Sequence, residues 1–391
     1  MQRQWSEPRV AIACGGTGGH LFPGVAVAGE LKQRGCAVTL LISPKEIDQT
    51  AVKSAVGMEV AILPAVGLSR GSGLAFARGF AQSYRAAAKL FRADPPEAVL
   101  AMGGFTSAPP VLAGKAHGIP AFLHESNTIP GRANRWLSWS VNQAFVGFPG
   151  AAGRLHTRNI KVTGTPVRPQ FQPTEPAPCR SALGLDPARP VLLVTGGSQG
   201  ASGLNDLVIA ALPFLAKRLP QLQLFHLAGP NDSQKIEQAC VAANIKAVVR
   251  PFFAEMHLAL GAATVAISRA GASSLAELAA MRLPAILVPF PAATDDHQFH
   301  NASAFEKTGA AFLVAQRDAN PESVAAKVAE LVENAAIREK MRAALADWHT
   351  PRAAEQIAES IMQVITARRR AAGGASLPST STLQNRQSAI S

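Results

Sequence analysis

The sequence predicts an α/β protein of two doubly wound parallel-sheet lobes facing each other across a cleft. Three observations carry this. Short apolar runs alternate with segments of helix length along most of the chain, the pattern of parallel strands joined by right-handed helical crossovers. In each half, one such run breaks into glycines and then into a helical pattern. At 391 residues the chain exceeds a single ordinary core, and prolines crowd its middle.

In the first half the candidate strands are Val10–Ala13, Ala37–Ile42, Val60–Leu63, Ala98–Ala101, Pro120–Leu123, Gln143–Val146 and Ile160–Val162. Pro166, Pro169, Pro173, Pro176 and Pro178 follow, suiting an extended connector over 166–180 and excluding a helix. Strands resume at Val191–Val194, Leu222–Leu227, Ala247–Val249, Val265–Ile267, Ala285–Val288 and Ala311–Val314. This divides the chain into a first lobe over 1–165, a linker over 166–180 and a second lobe over 181–346. Ile357, Ile361, Val364 and Ile365 then mark a helix over 347–370 that packs back across the junction. The segment 371–391, rich in Ala, Gly, Ser, Thr and Gln, reads as a disordered tail.

Charge and cysteine usage narrow the function. A formal charge of +12 points to nucleic acid, anionic lipid or an anionic substrate. Nucleic acid is disfavoured, because no aromatic-rich RNA motif or zinc-finger spacing occurs. The four cysteines are scattered without a C-x-x-C pair, so neither a zinc site nor a disulfide framework is indicated. No apolar stretch approaches the roughly 18 residues of a membrane span, and no signal peptide is expected.

The chemistry is expected where strands end. Gly15–Gly19 and His20 follow the first strand, and Gly196, Gly197 and Ser198 follow the strand that opens the second half. Glycines there let backbone N–H groups approach an oxygen-rich ligand, and the following helix adds its positive end. Neither loop fits G-x-G-x-x-G: from Gly16 the third glycine falls on Leu21, and from Gly196 the second falls on Ser198. Phosphate or sugar therefore suits these loops better than a dinucleotide, and no P-loop occurs. Gly103, Gly104 and Phe105 follow another strand, as do His124, Glu125 and Asn127, so these groups converge on one crevice. In the second half, Ser268–Glu277 reads as strand end, glycine turn and helix start. Free N–H groups near Ala272, Ser273 and Ser274 would meet a diphosphate, and Glu277 a ribose diol. Asp295, Asp296 and His297 are consecutive and do not share a helical face, so no metal is expected and Gln298 reads as a polar contact to a sugar or base. Leu74, Phe76 and Phe80, interleaved with Arg78 and Arg85 after Ser69–Gly73, form an amphipathic basic segment suited to an anionic bilayer or to a basic-edged core helix.

With GGTGGH at 15–20, MGGF at 102–105, HESN at 124–127, GTPVR at 164–168, GGSQGA at 196–201, SRAGASSLAEL at 268–278 and DDHQ at 295–298, the chain resembles the MurG family of bacterial peptidoglycan glycosyltransferases over about residues 9–366. The resemblance implies a GT-B fold, two Rossmann-like lobes with an interdomain cleft. It also implies transfer of N-acetylglucosamine from UDP-N-acetylglucosamine to the 4-hydroxyl of an undecaprenyl-pyrophosphoryl-N-acetylmuramyl-pentapeptide, with inversion and without a cofactor. Carried over as donor contacts are Arg168, Ser198, Phe253, Ala272, Ser273, Ser274, Leu275, Ala276, Glu277 and Gln298, with Thr17, Gly18, Gly19 and Asn127 reaching from the first lobe. Gly104, Phe105 and His124 fall on the acceptor side. His20 is the first candidate for general base, because histidine ordinarily titrates near neutrality, and Glu125 is the second. The resemblance further implies a peripheral protein at the cytoplasmic face of the inner membrane, with cell-wall synthesis and division proteins as partners. Ser126 stands where many relatives carry a glutamine, and Phe105 where some carry a tyrosine, which bears on acceptor contacts. The rival readings are a UDP-N-acetylglucosamine 2-epimerase and a non-catalytic UDP-sugar-binding scaffold.

Overall fold

The computed structural model describes residues 7–44, 57–64, 73–197 and 200–372. The expectations for Ser198, for Ser69–Ser72 and for the tail from residue 373 onward lie outside the described residues.

The first lobe runs β1 (Arg9–Ala13), α1 (Gly18–Gln33), β2 (Ala37–Ile42), β3 (Glu59–Ile62), α2 (Gly73–Ala93), β4 (Ala98–Ala101), α3 (Ala108–Ala116), β5 (Ala121–Glu125), α4 (Arg132–Leu137), β6 (Gln143–Val146) and β7 (Ile160–Val162). Its strands form one parallel sheet in the order β3-β2-β1-β4-β5-β6-β7. Val10 pairs with Val38 on one side and Ala98 on the other. Helices cover both faces, which is why the central strands read as unbroken apolar runs.

A connector carrying α5 (Pro176–Ala182) leads to the second lobe. That lobe runs β8 (Val191–Thr195), α6 (Ser202–Arg218), β9 (Gln223–Leu227), α7 (Ser233–Ala242), β10 (Lys246–Arg250), α8 (Met256–Ala262), β11 (Val265–Ser268), α9 (Ala272–Met281), β12 (Ala285–Leu287), α10 (His297–Lys307), β13 (Phe312–Leu313), α11 (Pro321–Glu333) and α12 (Ala335–Trp348). Its sheet is also parallel, in the order β10-β9-β8-β11-β12-β13. The helix α5 corrects the expectation that the prolines exclude one. Pro176 and Pro178 occupy its first turn, where backbone N–H groups have no helical acceptor to lose.

The last helix, α13 (Ala353–Ala371), lays Ile357, Ala358, Ile361 and Ile365 on the α1 face of the first lobe's core. Arg369 is buried there against Glu97 and so does not belong to a solvated basic tail. The chain therefore crosses between lobes twice. The two crossings touch at Gly164, whose φ is +79° and whose Cβ, if present, would overlap the Thr350 side chain. Strand order reverses between β1 and β4 in the first lobe and between β8 and β11 in the second. Parallel α/β sheets open a ligand crevice at such reversals.

Candidate active site between the lobes

The loops after these strands enclose a cleft of about 510 Å³. Its first-lobe wall includes Thr17, Gly18, Gly19, His20, Gly104, Phe105, Glu125 and Asn127. Its second-lobe wall includes Phe253, Ala272, Ser273, Ser274, Glu277 and Gln298.

Backbone chemistry sets the α1 side. A Cβ on Gly15 would lie 2.4 Å from the Ser43 nitrogen, so only glycine lets the loop turn here. Gly103 and Gly104 have φ of +117° and +77°, and a Cβ on either would meet the His20 ring at about 3 Å. The imidazole thus lies flush on that turn at the cleft edge, with Nδ1 3.3 Å from Thr17 Oγ1. Pro23, inside α1, has no N–H to give the Gly19 carbonyl four residues back. The Ser273 hydroxyl, reaching from the opposite lobe, donates to that carbonyl at 2.8 Å. The amino ends of α1 and α9 consequently meet across the cleft.

His124 and Glu125, neighbours in β5, part company. Glu125 turns to the cleft loop, where Oε1 accepts from Asn127 N (2.8 Å) and Nδ2 (3.1 Å), and Oε2 from Gly131 N (3.0 Å) and Asn134 Nδ2 (2.7 Å). Burial pushes its pKa up, while these four donors pull it back. A group that accepts four N–H bonds is held as a carboxylate with its lone pairs occupied. His124 is not brought to the cleft, which corrects its placement on the acceptor side. Its ring is wholly buried, donating through Nε2 to the Gly164 carbonyl (3.0 Å) and accepting through Nδ1 from Ser126 Oγ (3.2 Å). Burial lowers its pKa to about 4, so it stays neutral under the interlobe crossing.

On the other wall, Gly271 is extended and offers no capping side chain, so the first-turn N–H groups of Ala272, Ser273 and Ser274 have no acceptor within α9. Their partial positive charge, with the helix dipole, makes an anion seat. Leu275 and Ala276 do not belong to it. Leu275 is wholly buried in the lobe's core and its N–H is spent on the Gly271 carbonyl, while Ala276 faces a small cavity beside Trp348. Glu277, one turn along, lines the cleft, and burial raises its pKa to about 7. Opposing that rise is Arg168, 3.8 Å away. Arg168 stands behind Glu277 rather than on the cleft wall, its guanidinium between the rings of Phe22 (4.2 Å) and Phe171 (4.9 Å). The Gln298 carbonyl oxygen accepts from Phe290 N (3.0 Å) and Ala270 N (3.3 Å), leaving its NH2 group for the cleft.

Three residues that the motif-based reading left without a role organise the two walls. Asn134 supplies one of the four donors to Glu125. Arg269 is buried without a carboxylate, bonding the carbonyls of Val288 and Pro289 and the Gln316 side chain, and burial lowers its pKa to about 10. Asp295 bridges to Arg132 (3.3 Å) and Arg135 (3.0 Å) across the cleft. A charged residue directly after an apolar strand was the available signal for Arg269; Asp295 stood in a quoted motif, but nothing in the sequence gave its partners, which lie in the other lobe. Asp295 and Asp296 both adopt left-handed φ, so they do not form the helical turn assumed for them. Among the described residues, no three His, Cys, Asp or Glu side chains gather as a metal site.

Away from the cleft, α2 carries Leu74 (88 % exposed), Arg78 and Arg85 outward, and contains no acidic residue. Phe76 and Phe80 are half-buried, with Phe80 packed on the core and Phe76 in edge contact with Phe105. No helix among the described residues is long and apolar enough to cross a membrane.

Residues 10–146 match the glycosyltransferase family 28 N-terminal domain and 191–361 the family 28 C-terminal domain. The UDP-N-acetylglucosamine–N-acetylmuramyl-(pentapeptide) pyrophosphoryl-undecaprenol N-acetylglucosamine transferase of Anaeromyxobacter dehalogenans is 37 % identical over 92 % of this chain and 94 % of its own. The chain belongs to this family of transferases, the MurG family. The Xanthomonas campestris member is 38 % identical over 90 % of this chain and 81 % of its own. The crystal structure of Acinetobacter baumannii MurG superposes with a TM-score of 0.69 at 27 % identity, covering 91 % of this chain and 99 % of that one. A putative UDP-N-acetylglucosamine 2-epimerase from Listeria monocytogenes superposes at 0.68 but is 17 % identical, a likeness of fold alone. The fold is therefore GT-B, as the resemblance implied.

Proposed function

We propose that this MurG-family protein moves N-acetylglucosamine from UDP-N-acetylglucosamine to the 4-hydroxyl of the muramyl sugar in undecaprenyl-pyrophosphoryl-N-acetylmuramyl-pentapeptide, inverting the anomeric carbon. The observation that carries the reading is the meeting of two uncapped helix ends across the cleft, with His20 beside them and Glu277 one turn along α9. The donor diphosphate takes the N–H groups of Ala272, Ser273 and Ser274, which hold the negative charge of the leaving UDP without a metal. Glu277 accepts from the ribose diol and Gln298 donates to the donor, while Thr17, Gly18, Gly19 and Asn127 close over the sugar and diphosphate. His20 takes the proton of the attacking hydroxyl. Glu125, its lone pairs filled, shapes the loop that carries Asn127.

The acceptor's lipid places this chemistry at the inner leaflet. On this reading α2 rests on the cytoplasmic face of the inner membrane through Leu74, Phe76 and Phe80, with Arg78 and Arg85 on anionic headgroups. Trp136 and Trp139 (69 % exposed) add indoles suited to an interface. A membrane-bound product passes to the next enzymes at the same surface, which brings cell-wall synthesis and division proteins, and with them cell shape and division, into the proposal.

Mass spectrometry of the protein mixed with UDP-N-acetylglucosamine and a short-chain muramyl-pentapeptide lipid tests this. A product heavier by one N-acetylhexosamine and dependent on both substrates is expected. Consumption of the donor alone would replace the proposal with an epimerase, and tight donor binding without turnover would replace it with a scaffold.

A further inference from the structure

We propose that Asn301 is a positioning residue, through which the approach of the second lobe fixes the Asn127 amide of the first. None of Asn301 is exposed. Its Oδ1 accepts from Thr128 N (2.9 Å), and its Nδ2 donates to Asn127 Oδ1 (3.0 Å) and to the Ala270 carbonyl (3.2 Å). The bond types leave one orientation for each amide. Only an oxygen accepts from Thr128 N–H, and only the NH2 end of Asn127 can face the Glu125 carboxylate. A continuous chain of hydrogen bonds then runs from Asn134 through Glu125, Asn127 and Asn301 to Ala270, which adjoins the cap residue of α9.

One helix therefore serves both walls. From α10, Gln298 takes the Ala270 N–H and Asn301 the Ala270 carbonyl, so the residue leading into the α9 anion seat is held through both of its flanking peptides. In the same stroke, Asn301 and Glu125 set the plane of the Asn127 amide and leave one of its two Nδ2 hydrogens for a ligand in the cleft. Separating the lobes would strip Asn127 and Thr128 of their partner together. The bridges from Asp295 to Arg132 and Arg135 also span the cleft, but they are partly exposed and weaken with salt. The buried Asn301 bonds do not. What Asn127 contacts in the donor rests on the transferase reading, whereas the lobe coupling does not.

The test uses the full chain labelled at Val162 and Val241, one exposed site on each lobe, after substitution by cysteine; the four native cysteines are buried. Spin-label distance distributions in high salt should be narrow for the parent protein, and broader or longer for Asn301→Ala. Asn127→Ala, a change at a half-exposed loop, should broaden them too, and it covers the case in which Asn301→Ala does not fold. With UDP-sugar and acceptor, Asn301→Ala should lower kcat by about tenfold or more while UDP affinity from titration calorimetry changes much less. The double variant should be no slower than the worse single one. Distributions unchanged in both variants, or kcat within about twofold of the parent, would overturn the proposal. A parent protein that shows no transfer removes the transferase reading, and the distance measurement still decides the coupling.

Discussion

Each lobe turns one largely shielded glutamate toward the cleft, and the two are held in opposite ways. Glu125 has four N–H donors on two oxygens, all from its own lobe, whereas Glu277 has one guanidinium at 3.8 Å, and burial carries its pKa to about 7. The first is a carboxylate spent on architecture. The second retains lone pairs for a ligand and sits near the midpoint of its titration at neutral pH. Burial alone does not assign a role to an acid; the count and kind of its partners do.

Replacing Glu125 breaks the comparison with the largest effect. In Glu125→Gln the new NH2 end must face two N–H donors, each costing about 1–3 kcal/mol when left without an acceptor. Urea denaturation should show a loss of about 2–5 kcal/mol, and transfer should fall about 100-fold as the Asn127 loop shifts. If stability holds while the acid limb of the pH–rate profile moves, Glu125 is acting as a base, and its four donors are not the measure of its role.

Glu277→Gln should act on the donor instead. Loss of charge-assisted bonds to the ribose diol is worth about 1.5–3 kcal/mol, so the donor KM should rise roughly 10- to 100-fold. In the parent protein the same KM should climb as pH falls through about 7, because protonation removes the acceptor, and the variant should show no such limb. Stability moves the other way. A carboxyl whose pKa is raised on folding contributes stability below its unfolded value of 4.5, and that contribution is lost as pH rises through about 7. Glu277→Gln should therefore be more stable than the parent at pH 8, by up to about 3 kcal/mol, with no advantage at pH 4. Equal melting temperatures at pH 8 would mean that Glu277 carries its charge in the folded protein without penalty.

What could be read in the chain beforehand follows from the range of the forces involved. The described strands stood out because parallel strands covered on both faces are unbroken apolar runs, and the glycine loops because a Cβ at Gly15 or Gly103 has nowhere to go. Leu275 was legible too, since it shares a helical stripe with Leu278 and Ala279 and so belongs to the core. The reading of Leu275 as a donor contact, taken from its place inside a motif, passed over that period. The α5 helix was hidden by a rule applied without regard to position, since proline is excluded from helix interiors but not from first turns. The division of labour between His124 and Glu125 needed knowledge that β5 extends to residue 125, which sends neighbouring side chains to opposite faces. The cross-lobe bonds of Asn301 and Asp295 could not be read at all. Their partners in the other lobe, Asn127, Arg132 and Arg135 among them, lie 160 residues or more away and meet them only when two separately folded lobes approach.

The smallest effect expected on the soluble reaction concerns a feature of the first lobe, the exposed cationic helix α2. Leu74 is 88 % exposed and touches no core, so Leu74→Asp should leave the melting temperature within about 1 °C. Phe80→Asp is the poorer probe, because Phe80 packs on the lobe's core and its loss would confound binding with unfolding. On the proposed reading, Leu74→Asp replaces an inserted apolar group by a charge opposed to anionic headgroups, and binding to vesicles rich in anionic lipid should drop about tenfold. Transfer to a water-soluble acceptor analogue should not change, while transfer to acceptor embedded in those vesicles should fall with binding. A loss on both acceptors would tie α2 to the cleft instead, through the edge contact of Phe76 with Phe105, and would make the two faces of this lobe one continuous acceptor site.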